Sequence, residues 1–186
     1  MSRIPYPEHD ALSDLKRAYL DAPDRRVGNA GRMAMHAPDR LWERQRDLAT
    51  ACVFDTTIEP RLREVLILRV AALSHSEYEL HHHRSLARQL GVDDAAIRAI
   101  EHGDFARLGP EERAVAQFTT EVVEDVGPTD ATLAATRALF SDAAIFEMLA
   151  LVGVHMMTAR LAAVGGVEID AIESADKEKT DTQILP

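Results

Sequence analysis

Side chains that can carry protons or bind a metal ion are concentrated in one short segment. Residues 74–84 read Ser-His-Ser-Glu-Tyr-Glu-Leu-His-His-His-Arg. Because successive residues of an α-helix turn by about 100°, a helix here would place Glu79 and His83 one turn apart on one face. Ser76 would lie a turn before Glu79, and His82 at the edge of the same face. A carboxylate beside an imidazole is a pairing that general acid–base catalysis uses, so this segment is the first candidate for a site.

The face that carries this pair is predicted to point inward, because Leu86 and Leu90 continue it. Burying a carboxylate or an imidazole without a partner is costly, so the pair needs a reason to be there. One interpretation is structural: the two groups satisfy each other, or they pair with Arg63 or Arg69. The other interpretation is chemical, and the residues alone leave both open.

A metal site is a further alternative that the three consecutive histidines raise. Three neighbouring helical residues cannot all face one ion, so residues 81–83 do not form a site by themselves. Glu79 with His83, joined by a carboxylate from another helix, would be able to hold a metal ion. Acid–base chemistry needs no such ion, and we expect neither a metal nor another cofactor.

The elements that must position these residues are predicted to be helices. Aromatic residues make up only 5% of the chain, whereas alanine and leucine are abundant, which favours helices packed on helices. From Pro60 the apolar residues wrap most of the way around a helix, so this helix is expected to be central. Residues 74–76 form a break, and Gly91 ends the helix that carries the histidines. A last helix, from Asp142 to about Val164, is apolar nearly all round and should be buried in the domain or in a subunit interface.

Three segments are predicted along the chain: residues 1–34 form an N-terminal arm and helix, residues 35–170 a helical domain, and residues 171–186 a polar, mobile tail. The first helix is expected from Ala11 to about Leu20, followed by an irregular stretch up to Gly31. Further expected features are a helix capped by Asp39 with Leu41 and Leu48 on its apolar stripe, short helices over 94–101 and 130–140, and a helix opened by Pro110.

A weak internal echo runs through the sequence. Pro60-x-x-Arg-Glu-Val recurs as Pro110-x-x-Arg-Ala-Val, and Asp93-Asp-Ala-Ala-Ile recurs within Ser141-Asp-Ala-Ala-Ile. The echo is consistent with an old duplication of helical hairpins. It is equally consistent with helices that are capped in the same way.

Charge and composition exclude several classes of partner. The formal net charge is −10, so the surface repels nucleic-acid phosphates and anionic lipids. The N-terminus lacks the apolar core of a secretory signal and no run of 18 apolar residues is present, so we expect a cytoplasmic protein without a membrane span. Cys52 is the only cysteine, and it is predicted to be a small buried hydrophobe. No disulfide can form within the chain.

The spacing of these residues resembles that of the AhpD-like/carboxymuconolactone decarboxylase family. The peroxidase branch of that family carries Glu, eleven residues, Cys-x-x-Cys, three residues and His. In this chain Glu64, eleven residues, Ser76-Glu-Tyr-Glu79, three residues and His83 reproduce the pattern without either cysteine. The Ser-Glu-Tyr-Glu-x-x-x-His string and the segment 139–170 look like a cysteine-less branch, and the resemblance covers roughly residues 35–170.

The resemblance implies an all-α, AhpD-like domain with its active site between helices, assembled as a homo-oligomer from dimer to hexamer. The family's proton carrier falls on His83, and the glutamate that orients and charges it falls on Glu64. The nucleophilic and resolving cysteines are replaced by Ser76 and Glu79, which can neither attack a peroxide as a thiolate nor resolve the product.

The chemistry that remains is proton transfer. It predicts a cofactor-free lyase or isomerase acting on a small carboxylated molecule, in which a histidine protonates the carbanion left by CO₂ loss. The predicted catalytic set is Glu64, Glu79, His83, Tyr78 and His82. The predicted substrate-binding set is Arg63, Arg69, Ser76 and His155, with Arg84 and Arg160 as further cations for a substrate carboxylate.

The sequence leaves two other functions open. One is the peroxidase or antioxidant activity of the wider family, which is hard to reconcile with a chain that has only Cys52. The other is a non-catalytic oligomeric ligand-binding protein, in which Glu64, Glu79 and His83 are a structural hydrogen-bond network. His155 also has a purely structural interpretation, that of a core histidine whose hydrogen bonds are satisfied.

Overall fold

A computed structural model describes residues 1–23 and 25–170, and within them it contains nine α-helices and no β-strand. The predicted all-α fold is therefore confirmed, whereas the predicted tail, residues 171–186, lies outside the described residues. The helices are α1 Asp14–Leu20, α2 Asn29–Ala34, α3 Asp39–Phe54, α4 Pro60–Leu73, α5 Glu77–Gln89, α6 Asp94–His102, α7 Pro110–Asp125, α8 Asp130–Arg137 and α9 Asp142–Gly165. Short 3-10 helices lie at His9–Ala11 and Phe105–Arg107.

The described residues form two compact units, one of residues 1–54 with residues 161–170, and the other of residues 55–160. The first unit has a small core in which Leu12, Met35 and Trp42 are buried. Its N-terminal arm is attached through the backbone N–H of Arg3, which donates to the carbonyl of Gly165 at 2.7 Å.

The second unit is built around α4, as the sequence predicts. Residues 65–68 and 70–71 are at most 1% exposed, because α4 packs against α5, α6 and α7 on its different sides. Pro60 at its first turn and the side chain of Glu59, which accepts the backbone N–H of Leu62, define where α4 begins.

The connection from α4 to α5 is short and hydrogen-bonded. His75 adopts a left-handed conformation with φ of 51°, its N–H donates to the carbonyl of Ala72, and the N–H of Ser76 donates to that of Ala71. This is the Schellman arrangement, with a histidine in the position that glycine usually occupies. Ser76 is also the N-cap of α5, because its Oγ accepts the N–H of Glu79. Ser76 therefore takes part in the C-terminal cap of α4 and forms the N-terminal cap of α5.

Several N-terminal predictions need correction. The first α-helix begins at Asp14, capped by Ser13, because residues 9–11 form a separate 3-10 turn. The helix α2 begins at Asn29, inside the stretch expected to be irregular. Leu41 and Leu48 are 60% and 47% exposed, since α3 turns Trp42, Ala49 and Cys52 inward instead.

Other helix ends agree with the sequence patterns. Asp93 caps α6 and Gly103 ends it at φ of 78°, and Gly91 follows α5 at φ of 83°. The helix α8 ends at Arg137, earlier than expected. Both halves of the sequence echo fall at helix starts, Pro60 with Pro110 and Asp94 with Asp142, so similar capping accounts for them and duplication stays a prediction.

The helix α9 is the longest in the described residues and is apolar enough to cross a membrane by length and composition alone. Half of its most apolar window is buried inside the protein. The domain buries this helix only in part, and its burial in a subunit interface stays a prediction. Phe146 is 71% exposed and Met157 38% exposed.

Candidate active site

Three helices of the 55–160 unit bring two glutamates and two histidines together. Glu64 comes from α4, Glu79 and His83 from α5, and His155 from α9. We call these four residues the histidine cluster. Each is between 3% and 6% exposed, so the cluster is nearly closed to solvent.

Two short hydrogen bonds organise the histidine cluster. Nδ1 of His83 donates to Oε2 of Glu64 at 2.7 Å, and Nδ1 of His155 donates to Oε2 of Glu79 at 2.7 Å. Nε2 of His83 lies 3.9 Å from Oε2 of Glu79, which links the two pairs, and the two imidazole rings meet edge to face at 5.1 Å. The structure thus contains a continuous buried chain of alternating carboxylates and imidazoles.

The surroundings of His83 and Glu79 favour the charged form of each of these two side chains. Burial by itself would lower the pKa of His83, but the charge and hydrogen bond of Glu64, with the charge of Glu79, outweigh burial and raise it. Burial by itself would raise the pKa of Glu79, but the hydrogen bond and charge of His155 outweigh it, with help from His83 and His82, and lower it. Among these buried groups the structure therefore favours an ionised carboxylate at Glu79 and a protonated imidazole at His83.

Local sequence explains how the side chains reach this point. The Ser76 cap defines the first turn of α5, and the spacing of four residues then stacks His83 above Glu79 on the inward face. On α9, His155 is a polar residue within an otherwise apolar run, and its partner Glu79 compensates the burial of both groups.

The two arginines predicted to bind substrate, Arg63 and Arg69, have different surroundings in the structure. Nε of Arg63 lies 3.8 Å from Oε1 of Glu64, so Arg63 borders the histidine cluster. Arg69 donates instead to Thr120 and to the carbonyls of Ile100 and Glu101, where it caps the end of α6. The prediction of Arg69 as a substrate-binding residue is therefore not supported by its position, because its guanidinium is held by groups outside the cluster.

Two other arginines considered from the sequence also have structural partners. Arg84 forms a bidentate pair with Glu101, at 2.7 and 3.0 Å, which raises the pKa of the guanidinium. Arg160 is exposed and donates to the carbonyl of Met156.

The remaining predicted site residues lie on α5 close to the histidine cluster. The half-buried rings of Tyr78 and His82 are in contact, with centroids 4.6 Å apart. The hydroxyl of Ser76 accepts the N–H of Glu79, so its observed role is that of a helix cap.

His155 is a full member of the histidine cluster, whereas the sequence predicts it only as a substrate-binding residue or a core histidine. The signal was present in the sequence, since one imidazole on an otherwise apolar helix requires a buried partner. The identity of that partner was not readable, because Glu79 lies 76 residues earlier in the chain.

Cys52 belongs to α3 in the other unit, where it is 3% exposed and burial raises the pKa of its thiol. The prediction of a buried cysteine is confirmed. A buried thiol with a raised pKa is a poor nucleophile, because the thiolate is the reactive form.

Residues 40–121 match the sequence model of the carboxymuconolactone decarboxylase family. The matched segment includes Glu64, Glu79 and His83, and it ends before His155. No curated protein matches the chain significantly.

Solved structures share the fold at low sequence identity. An uncharacterised peroxidase-related protein from Ralstonia eutropha JMP134, described as an alkylhydroperoxidase AhpD core, is 21% identical with a TM-score of 0.76, over 91% of this chain and 92% of that one. A protein of unknown function from Agrobacterium tumefaciens, described as a putative antioxidant defence protein AhpD, is 18% identical with a TM-score of 0.66, over 75% and 96%. A peroxidase-related protein from Silicibacter sp. TM1040 is 17% identical with a TM-score of 0.66, over 75% and 76%. Together these similarities establish an AhpD-like helical fold.

Proposed function

We propose that this chain is an acid–base lyase or isomerase, because residues 40–121 match the sequence model of the carboxymuconolactone decarboxylase family and the fold is AhpD-like. Its substrate would be a small carboxylated molecule of the carboxymuconolactone type. The observation that carries the proposal is the pair of buried hydrogen bonds, Glu64 to His83 and Glu79 to His155, with Nε2 of His83 3.9 Å from Oε2 of Glu79.

In the proposed reaction, the carbon–carbon bond to a carboxylate breaks and CO₂ leaves. The electron pair remains on the substrate carbon and is taken up by a proton from Nε2 of His83. Glu64 would hold the other ring nitrogen and so orient the imidazole, and water would restore the proton. Neither step needs a redox partner, since no atom changes its oxidation state by exchange with the protein.

Arg63 is the cation that we assign to the substrate carboxylate. It is 14% exposed in its side chain and lies 3.8 Å from Glu64, at the border of the histidine cluster. A guanidinium binds a carboxylate with two parallel hydrogen bonds, which would orient the leaving carboxylate relative to His83. Tyr78 and His82 would serve as further hydrogen-bond donors.

The test is the release of CO₂ from carboxymuconolactone by the purified chain and by the His83→Ala and Glu64→Gln variants. We expect kcat to fall by about 100-fold or more in both variants while circular dichroism shows an intact fold. His81→Ala is the matched control, because it removes a histidine from the same helix but not from the histidine cluster. Wild-type rates in both variants would contradict the proposal, as would a wild-type chain that releases no CO₂.

A peroxidase is the second candidate, because similar structures are described as peroxidase-related. Thiol chemistry would have to use Cys52, whose burial and raised pKa argue against it. A Cys52→Ser variant assayed with an organic hydroperoxide tests whether the thiol carries a peroxidase activity. Activity that is lost with the thiol would favour the peroxidase, and activity that is retained would exclude a thiol mechanism.

A further inference from the structure

We propose that Glu79, His83 and His155 also form a binding site for one divalent transition-metal ion. The three side chains come from two helices of one compact unit, α5 and α9, and all three are buried. Two imidazoles and a carboxylate are a donor set that binds such ions in proteins. The inference concerns ion binding alone and does not depend on the proposed reaction.

The distances are close to those that an ion requires. One donor atom from each of the three residues lies within 4.8 Å of the other two. Oε2 of Glu79 is 2.7 Å from Nδ1 of His155 and 3.9 Å from Nε2 of His83. Around a tetrahedral ion with bonds near 2.1 Å, donor atoms are roughly 3.4 Å apart. Side-chain movements of about 1 Å would therefore gather all three donors around one ion.

Glu64 supplies the second observation that points to an ion. It accepts the Nδ1–H of His83 at 2.7 Å, which leaves Nε2 of the same ring turned toward Glu79. Metal-binding histidines almost always present one nitrogen to the ion and the other to a carboxylate or carbonyl, which holds the ring and its tautomer in place. Glu64 is thus a positioning residue for the site.

The donors also select the class of ion. Nitrogen donors favour Zn²⁺ and neighbouring transition metals over Mg²⁺, which prefers oxygen donors and retains water. Three protein ligands leave a coordination position for water or a small ligand. The formal charge of −10 on the chain raises the local concentration of cations.

Metal binding and the proposed proton transfer use the same atom, Nε2 of His83. They are therefore mutually exclusive at one active site, and a bound ion would inhibit the decarboxylation proposed above. The metal-free chain would be the form that delivers the proton. Binding is measured without substrate, so failure of one proposal is distinguishable from failure of the other.

The experiment is calorimetric titration of the chelator-treated full chain with Zn²⁺, and with Mg²⁺ for comparison. We expect one Zn²⁺ per chain and no measurable Mg²⁺ binding. Affinity for Zn²⁺ should fall at least 100-fold in Glu79→Gln and in His155→Ala, and 10- to 100-fold in Glu64→Gln. His81→Ala should bind as the wild type does. No Zn²⁺ binding by the wild type, or undiminished binding by Glu79→Gln and His155→Ala, would overturn the proposal.

A second measurement covers the case in which a variant does not fold. X-ray absorption at the zinc edge of the wild-type complex should report two imidazole nitrogens and a carboxylate oxygen in the coordination shell. A shell of oxygen donors only, or with a single imidazole, would place the ion at the surface and overturn the site as described.

Discussion

Two sets of hydrogen-bonded charged side chains in the 55–160 unit differ in whether their partners can take up and release protons. In the histidine cluster, the carboxylates of Glu64 and Glu79 are bonded to imidazole rings, which take up and release protons. In the other set, Arg69 and Glu121 are bonded to backbone groups, hydroxyls and an amide, which do not. We call Arg69 and Glu121 the two capping residues.

The contrast is sharpest along α4, which contributes a buried charge to each set. Arg69 satisfies the free carbonyls at the end of α6 and a hydroxyl of α7, and its guanidinium lies 5.1 Å from the ring of Phe105. Glu64, five residues earlier, faces His83 and borders Arg63. Buried charge therefore does not identify a functional site by itself. The site is where the partner is titratable and the hydrogen bonds leave a nitrogen turned toward another side chain.

The largest expected effect on stability is that of Arg69→Met. This change leaves the carbonyls of Ile100 and Glu101 and the hydroxyl of Thr120 without their donor, so we expect a loss of roughly 2–4 kcal/mol in the free energy of unfolding. Turnover and Zn²⁺ affinity of the folded protein should not change. Chemical denaturation measures the first quantity, and assays below the transition measure the others.

The control for this variant is Arg88→Met, which removes an exposed ion pair with Asp94 and should leave the free energy of unfolding almost unchanged. If Arg69→Met left the stability unchanged but abolished turnover, the contrast between the capping residues and the histidine cluster would be wrong, because Arg69 would then act in the site.

A smaller effect is expected for Glu64→Gln, at about 1 kcal/mol of unfolding free energy. Glutamine keeps the size of the side chain and a carbonyl that accepts the Nδ1–H of His83, so only the contribution of the charge is lost. The loss of turnover should be disproportionately large. A loss of stability equal to that of Arg69→Met, with no loss of turnover, would mean that the histidine cluster is a structural network.

Glu121, one of the two capping residues, should make the stability of the protein sensitive to acid. Burial alone would raise the pKa of Glu121, but the donors Gln117, Thr132 and Thr129 outweigh it and lower the pKa from 4.5 to about 2. Because the folded-state pKa is depressed, the stabilisation is complete above pH 4.5 and is lost as the pH falls from 4.5 toward 2. Glu121→Gln should therefore lose less stability over that interval than the wild type. Melting temperatures recorded from pH 3 to pH 7 test this, and identical profiles for the two proteins would contradict it.

The smallest effect is expected at the connection that brings α4 and α5 together. His75 is exposed and has a φ of 51°, which is strained for a residue with a side chain. His75→Gly should stabilise the protein by about 0.5 kcal/mol, since relief of strain exceeds the added freedom of the unfolded chain. Ser85→Gly, in the regular part of α5, should destabilise it by a similar amount. A destabilising His75→Gly would show that the imidazole itself supports the connection.

Much of the fold was predictable from local patterns. Proline at the first turn of α4 and α7, the cap at Asp93 and glycine at positions 91 and 103 are short-range signals, and the helices begin and end there. The N-terminal unit was predicted less accurately. Its helices are short and partly exposed, so tertiary contacts outweigh the apolar pattern, as the exposed Leu41 and Leu48 demonstrate.

The sequence by itself determined the all-α class, the central position of α4 and the shared face of Glu79 and His83, because all three follow from helical periodicity within a single segment. The family resemblance already indicated Glu64 as the partner of His83, and only the tertiary structure decided that His155 of α9 pairs with Glu79 and that Arg69 lies outside the histidine cluster. The physical reason is that periodicity specifies a direction around one helix axis. Which groups meet across two axes depends on how the helices pack, and that is a property of the whole fold.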